Sequence, residues 1–445
     1  MNLALLSTPP YSRKARKAFR DFKARVEADG GTFETPNETR KELTRLARLG
    51  LLDDDLTLAY VAGAYKAGKW YNIQGAGGDL DVVRATDAYR VNRPFALQSR
   101  GNNITATTYG TDGKLKGNYI RSALTNLFRD SEPTTDPGQG ERTSVTFEVN
   151  DWNIGLDGKV VFGDNSIDRR YRNTASLPAT THSMAFLIKP NNGLVPTFGT
   201  GSTNITNITF GGNSVASNTT IVEVHSGIWL VKASGTIDAS FPNLNGIRKL
   251  TTNNSVGFEV SALMIVAGDV DLTLEDYIKT VGSSAPRNAD NISKTGISGL
   301  IGQTEGVALI RVDLSDVDAV SNGRLFEFND GTTTNRTIFR KFTNTKNLIL
   351  QVGSTVQIIG NYSGANSGEV LMLLRYDGTN FTPFLRGSKV NDYTLTAPSA
   401  LSMVLIGTSP AYLADGWLND RVKAFYHWKS TTKFTDEICQ KLTTP

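Results

Sequence analysis

Two hydrophobic rhythms divide the chain. Near the start, apolar residues recur at helical spacing; from Ser144 onward they alternate with a period of two. Ser12 can cap a helix from Arg13 to about Ala28, with Ala18, Phe19, Phe22 and Val26 as its apolar stripe. Asp29-Gly30-Gly31 ends it, because glycine relieves the left-handed C-cap geometry. Thr35-Pro36-Asn37-Glu38 starts a second helix, striped by Leu43, Leu46, Ala47 and Leu49 and stopped by Gly50. Asp53-Asp54-Asp55 then precedes a third predicted helical segment through Leu56, Ala59, Tyr60 and Ala64. So small a helical unit has little core of its own, and it is expected to dock on a partner or on a second copy.

Beyond residue 64 the pattern is mixed. Gly75-Ala76-Gly77-Gly78 reads as a turn, and Val82, Val83 and Val91 as short strands. Thr134-Thr135-Asp136-Pro137-Gly138-Gln139-Gly140 reads as a linker, since Pro, Gly and Asp break both kinds of regular structure. Val145, Phe147 and Val149 then alternate with Thr146, Glu148 and Asn150, as a half-buried strand requires. Further strands are predicted at 183–189, 205–210, 220–224, 228–233 and 256–266. After a pause near 285–290, a second set follows at 307–314, 324–328, 337–342, 348–352, 369–376, 382–385, 403–406 and 421–428. A short helix at about Thr435–Leu442 closes the chain. The pattern predicts a mainly β protein with two tandem antiparallel β-sandwich domains after a small helical segment. The expected divisions are a helical segment over 1–80, a mixed connector over 81–141, and sandwiches over 142–295 and 296–445.

Composition sharpens this picture only in places. The 42 glycines among 445 residues fit many turns and short strands. Net charge is only +4, and the cations concentrate early, in Arg13, Lys14, Arg16, Lys17, Arg20, Lys23 and Arg25. The simplest reading is the solvated face of a helix; contact with an acidic partner surface is the alternative. Nucleic acid is not an expected partner. One cysteine, Cys439, excludes an internal disulfide and cysteine-pair metal sites. No signal peptide is expected from Met1-Asn2-Leu3-Ala4-Leu5-Leu6, and no apolar run predicts membrane insertion.

The search for chemistry finds little. His182, His225 and His427 have no zinc spacing and read as ordinary sandwich residues. Gly63 through Gly68-Lys69 matches most of a phosphate loop. Trp70 stands where Ser or Thr must hold magnesium, so a helix end followed by a loop is expected instead. Glycine- and asparagine-rich 193–212 reads as hairpin loops. Glycosidases need two facing carboxylates. Glu148, Asp151, Glu223, Glu259 and Glu327 lie in or beside predicted strands, without a glycanase spacing. Asp330-Gly331 and Asp377-Gly378-Thr379-Asn380 could hold calcium, but they fit hairpin turns better. No catalytic residue, metal or cofactor is assigned.

Residues 83–92, 258–290 and 415–443 form three stretches that together resemble bacteriophage virion and tail-fibre proteins that carry concanavalin A-like or laminin-G-like jelly rolls. The first is Val83-Arg84-Ala85-Thr86-Asp87-Ala88-Tyr89-Arg90-Val91-Asn92. The second runs from Phe258 to Gly268, then Tyr277-Ile278-Lys279-Thr280 and Arg287-Asn288-Ala289-Asp290, with Lys279 where the family has proline. The third is Asp415-Gly416-Trp417 through Tyr426, then Phe434-Thr435-Asp436-Glu437 and Leu442-Thr443, with Phe434 where the family has leucine. The resemblance spans 83–445. It implies a non-enzymatic virion structural protein, in a tail, collar or head fibre, whose lectin-like domains contact host-surface polysaccharide. An N-terminal segment attached to other virion proteins, and a homo-oligomer that multiplies weak glycan contacts, are expected with it. A purely architectural role without a ligand, a glycan depolymerase and a secreted adhesin are the competing readings.

Sugar faces stack on exposed rings beside polar groups. The glycan candidates in loop-like contexts are Tyr362, Tyr376, Asn380, Tyr393, Tyr412 and Trp417. The opposing expectation is that Trp229, Trp417, Phe425 and Trp428 fill the sandwich cores. The virion-anchoring candidates are Arg13, Lys14, Arg16, Lys17, Arg20 and Lys23.

Overall fold

A computed structural model describes residues 10–444, apart from 93–94, 111, 113, 137–140, 165–167, 174–175, 212–217, 315–322, 343–344, 364–367 and 409–417. Among the described residues it holds two antiparallel sandwiches and three α-helices: α1 (Pro10–Ala28), α2 (Pro36–Arg48) and α3 (Asp436–Thr443). The mainly β class, the sandwiches and the N-terminal helices therefore agree with the periodicity. Nearly every predicted strand of the two β sets has a counterpart, while Gly158–Phe162, Arg169–Asn173, Asn245–Lys249, Asn291–Thr295 and Thr355–Asn361 are among the strands that were not predicted.

The chain segments of the sandwiches are nested. The first sandwich faces a six-stranded sheet, ordered 146–149, 158–162, 258–267, 181–190, 228–236 and 218–225, against a four-stranded one. The four strands are 141–143, 169–173, 245–249 and 207–209. Phe162, Phe186, Phe210, Phe258 and Ile247 fill the space between them. The second sandwich draws on both ends of the chain. Its ten-stranded sheet joins 32–33, 64–66, 69–70 and 80–83 to 291–295, 403–406 and the 323–361 strands. Its nine-stranded sheet joins 56–61, 106–109 and 115–120 to 305–314, 368–377 and 420–428. Strand pairing thus runs across the division expected at residue 80; of the expected connector, 106–109 and 115–120 join the nine-stranded sheet, whereas 88–92 and 96–100 pair with each other.

The third expected helix is a strand. Leu56–Val61 pairs with Asp420–Trp428, setting Leu58 opposite His427 and Tyr60 opposite Phe425. All six residues are buried. Leu58 and Tyr60 enter the core between the sheets, whereas Leu56, Ala59 and Val61 face the helices. A strand buried on both faces loses its alternation, and a continuous apolar run does not distinguish it from a helix.

The helices lie on the outer face of the nine-stranded sheet. Phe22 and Val26 of α1, Leu43 and Leu46 of α2, and Cys439 and Leu442 of α3 pack with Tyr426, Trp428 and Phe434. The apolar stripes of the helical unit therefore dock on its own chain, and the sheet supplies the core the helices lack by themselves. α1 begins at Pro10, so Ser12 lies inside it and not at its cap. Cys439 is a buried free thiol.

The two sandwiches meet over buried charge. Asp290 takes Arg84 at 2.5 Å and Arg287 at 2.8 Å, and accepts from the Arg121 backbone N–H at 2.9 Å. Arg121 lies 2.9 Å from Asp276, which also accepts from the Tyr119 hydroxyl at 3.0 Å. Glu275 accepts from Thr108 and Arg421, both at 2.8 Å. Two of the three stretches carrying the virion-protein resemblance, at Arg84 and at Arg287–Asp290, thus join in one internal clasp. Lys279, at the family's proline position, pairs with Asp157.

Candidate functional site

The four described glycan candidates do not form one site. Tyr362 and Tyr376 are core residues, and their hydroxyls donate to the carbonyls of Phe342 and Gly302. Burial on the inner sandwich face overrides their loop-like sequence context. Tyr393 is half-buried, and its hydroxyl donates to the Ile358 carbonyl at 3.4 Å. Tyr412 and Trp417 lie outside the described residues. Trp229, Phe425 and Trp428 fill cores, as expected.

Of the four described candidates, Asn380 lines a cavity of about 550 Å³. The hairpin of Gly368–Asp377 and Asn380–Leu385 builds one wall, and the entry to α3 builds another. Gly378, at φ +58°, makes the tight turn that carries Asn380. Thr435 caps α3 by accepting from the Ile438 N–H, which places Asp436 in the first helical turn. Arg375 donates to the Phe434 carbonyl at 2.7 Å and pairs with Asp436 at 2.8 Å. Lys389 bridges Asp392 at 2.7 Å and Asp436 at 3.2 Å, and Thr382 donates to Asp392 at 2.6 Å. The Lys389 and Thr382 bonds hold Asp392 below the usual carboxylate range. Partial burial opposes ionisation of Asp436, but Lys389 and Arg375 outweigh it and also hold this carboxyl low. The cavity therefore presents ionised acceptors and fixed donors to a polar ligand. Its ring, Phe434, is buried. Arg375, Lys389, Asp392 and Asp436 were missed in the sequence because α3 and the hairpin are 50 residues apart along the chain and meet only through the fold.

The anchoring candidates share one face of α1. Arg13, Lys14, Arg16, Lys17, Arg20 and Lys23 are exposed, while Ala15, Phe19, Phe22 and Val26 are buried. Lys17 pairs with Asp21 at 2.7 Å and Lys23 with Glu27 at 3.0 Å, both well solvated. Solvent-exposed pairs of this kind add little stability, so the fold needs little from this face. Residues 10–48 hold eleven Lys and Arg against six Asp and Glu, a net of +5 where the whole chain carries +4.

Three of the five carboxylates considered for hydrolysis converge, but on a lysine. Lys159 lies 2.7 Å from Glu259, 2.9 Å from Asp151 and 3.5 Å from Glu148. Trp152 donates its indole N–H to Glu259 at 2.6 Å. Glu259 and Asp151 are thus committed to partners. Glu223 accepts from the Gly227 N–H, and Glu327 is buried in the other sandwich. Among the described residues no three His, Cys, Asp or Glu side chains converge as a metal cage, and no helix is long and apolar enough to cross a membrane. The phosphate-loop-like stretch is a hairpin of Ala64–Lys66 with Lys69–Trp70, not a helix end and loop. Trp70 is buried and donates to the Val61 carbonyl.

The histidines serve packing. His182 is buried, and His225 stacks on Phe95 at 5.5 Å. His427 is fully buried; it accepts from the Gly302 N–H at 3.0 Å and lies 3.0 Å from the Val307 carbonyl. That pairing assigns the Nδ1–H tautomer. Burial drives its pKa down to about 3. The unfolded chain binds a proton there near pH 6.5 and the folded chain does not. Stability is therefore expected to fall as pH drops from about 6.5 towards 3, by ~1.4 kcal/mol per unit. Urea midpoints between pH 7 and 4.5 measure this; His427→Gln should show a shallower slope than the wild type, and equal slopes would refute the assignment.

No protein-family model matches the chain, and no curated protein matches it. Among solved structures, the Ruminococcus gnavus IT-sialidase CBM40 bound to α2,3 sialyllactose aligns with 32% of this chain and 84% of its own. It does so at 11% identity and a TM-score of 0.27. Mouse laminin α1 domains LG4-5 align with 69% of this chain and 89% of their own, at 10% identity and a TM-score of 0.21. A carbohydrate esterase from the Shiga toxin-encoding bacteriophage phi24B, vb_24B_21, aligns with 32% and 82%, at 14% identity and a TM-score of 0.21. At scores this low no ligand, activity or residue role passes from these proteins to this chain, and the sandwich fold rests on the strand pairing described above.

Proposed function

We propose that this chain is a non-enzymatic structural protein of a bacteriophage particle. Its cationic N-terminal helix attaches it to acidic neighbours, and its lectin-like sandwiches project towards host-surface polysaccharide. One observation carries the attachment: α1 spends its apolar stripe on its own chain and turns six cations outward that the fold hardly uses. The Arg84, Arg287–Asp290 and Phe434–Glu437 stretches support the virion reading through their resemblance to virion proteins. The cavity at Asn380, of about 550 Å³, falls in the ~300–1,000 Å³ range of small-ligand sites and supports polysaccharide contact.

The test is immunogold electron microscopy of purified particles with antibody to residues 142–445. Wild-type protein is expected at a fixed place on the particle. Arg13→Glu/Arg16→Glu/Lys17→Glu should fold with an unchanged melting temperature and be absent from particles. Label confined to cells or free protein would sink the reading and promote the adhesin.

A second reading, purely architectural, is favoured by the lack of an exposed aromatic ring among the described glycan candidates. Binding of the full chain to host polysaccharide separates the two. Asn380→Ala/Arg375→Ala is expected to weaken binding by roughly tenfold, about 1.4 kcal/mol. No binding by the wild type would favour the architectural role, and release of reducing sugar would favour a depolymerase.

A further inference from the structure

We propose that the cleft between α2 and α3 receives a short carboxylate-rich segment of a partner protein. The inference rests on the attachment reading for the partner's origin and on the cleft itself for its chemistry. The cleft measures about 680 Å³. Arg40, Lys41, Arg45 and Arg48 line it from α2 and Lys441 from α3, and no carboxylate is among its lining residues. These are not the cations of α1, so this is a second, concave site beside the convex one.

Part of this charge has a local reason. Cations favour helix C-termini, which accounts for Arg45 and Arg48 at the end of α2 and Lys441 at the end of α3. Arg45 donates to the Lys441 and Leu442 carbonyls at 3.0 and 2.7 Å, tying the helices together. Lys441 pairs with Glu437 at 2.5 Å. Arg40 lies 4.7 Å over the Phe19 ring and so joins α1 to α2. Lys41 has no such account. It sits mid-helix, exposed, and faces both this cleft and a neighbouring one. Lys441 has Glu437 and Arg45 has Glu42 at 3.8 Å as neighbours outside the lining, but the charged groups that line the concavity itself are all cationic, which favours an anionic occupant.

The shape selects the kind of anion. The volume suits a few side chains, since pockets of ~300–1,000 Å³ enclose small ligands. A nucleic acid spreads its phosphates along a track and is held by stacking rings as well as cations. This lining contains no aromatic residue; its other members include Asn37, Thr44 and Leu49. Thr44 donates its hydroxyl to the Arg40 carbonyl at 2.8 Å, while Asn37 beside the cations, with an amide NH2 to donate, suits carboxylates on a short peptide. Planar guanidinium forks at Arg40 and Arg48 suit them too.

The experiment uses the full chain and a fluorescent hexaglutamate peptide at about 0.15 M salt, where diffuse surface attraction is screened. Anisotropy should show saturable binding. Lys41→Glu/Arg48→Glu should weaken it roughly tenfold or more, whereas Lys189→Glu/Lys429→Glu on the sandwiches, with the same change in charge, should stay within about twofold. Both variants should melt as the wild type does. No binding by the wild type, or equal losses in the two variants, would overturn the cleft. Tighter binding of a six-nucleotide single strand than of the peptide would overturn it in favour of nucleic acid. Particle incorporation is scored separately, so the attachment reading can fail while the cleft holds, and the reverse.

Discussion

Asp290→Ala should destabilise the protein by about 3–5 kcal/mol, because it removes one partner from a buried ion cluster. Arg84 and Arg287 are 1% exposed, and both depend on this carboxylate. Arg84 has further bonds to the carbonyls of Thr86, Gly101 and Ile104, but Arg287 has no other charged partner among its described contacts. The substitution therefore strands positive charge where water does not reach. Urea unfolding at neutral pH measures the loss. The clasp lies where the two sandwiches meet, so the variant should also unfold in two steps where the wild type unfolds in one. High salt should not reproduce the effect, since buried pairs are poorly screened. Replacing the three residues together, by Arg84→Met/Arg287→Met/Asp290→Leu, removes the stranded charge but should recover only part of the loss, because the Thr86, Gly101 and Ile104 carbonyls and the Arg121 N–H lose their partners. A loss below about 1 kcal/mol for Asp290→Ala would place it with exposed surface pairs and refute the clasp.

Trp428→Ala should cost a similar ~3–5 kcal/mol, the range for emptying a large aromatic from a core. Trp428 is fully buried beneath the helices, packs edge-on against Phe434 at 5.0 Å and donates its indole N–H to the Leu51 carbonyl at 2.8 Å. Hydrogen exchange should locate the damage: amides of α2 and α3 should lose protection, and those of the first sandwich should keep theirs. Trp428→Phe separates the two contributions. It keeps most of the apolar contact and strands a buried carbonyl, at about 1–3 kcal/mol. If the helices kept full protection in Trp428→Ala, their docking on this sheet would be wrong.

The two experiments probe what was hardest to read from the chain. The clasp joins Arg84 to residues about two hundred positions away, and the separate oddities of those two stretches appear as motifs without a mechanism. Helix docking was legible only as an unmet need: the stripe of Phe19, Phe22 and Val26 announces a buried face but not what buries it. The cavity at Asn380 was legible in one residue. An Asp-Gly turn marks a hairpin tip, and nothing local says that Arg375, Lys389, Asp392 and Asp436 will gather beside it. Tyr362 and Tyr376 misled for the same reason, since glycine and polar neighbours resemble a loop whether a ring points outward or into a core.

Local chemistry by itself determined the elements. Alternation set most strands, 3.6-residue spacing set α1 and α2, and glycine and proline set many of the breaks, because each acts through a few neighbouring residues. The exposure of the cations on α1 also follows from helical geometry once its apolar stripe is buried. Tertiary structure alone decided the rest. It made a strand of Leu56–Val61 by burying both faces, since a run with no polar side carries no period to read. It nested one sandwich within strands of the other, brought the ends of the chain into shared sheets, and gathered the cavity, the clasp and the cationic cleft. Those arrangements depend on pairing between distant segments, and the energies that select them arise only when the segments meet.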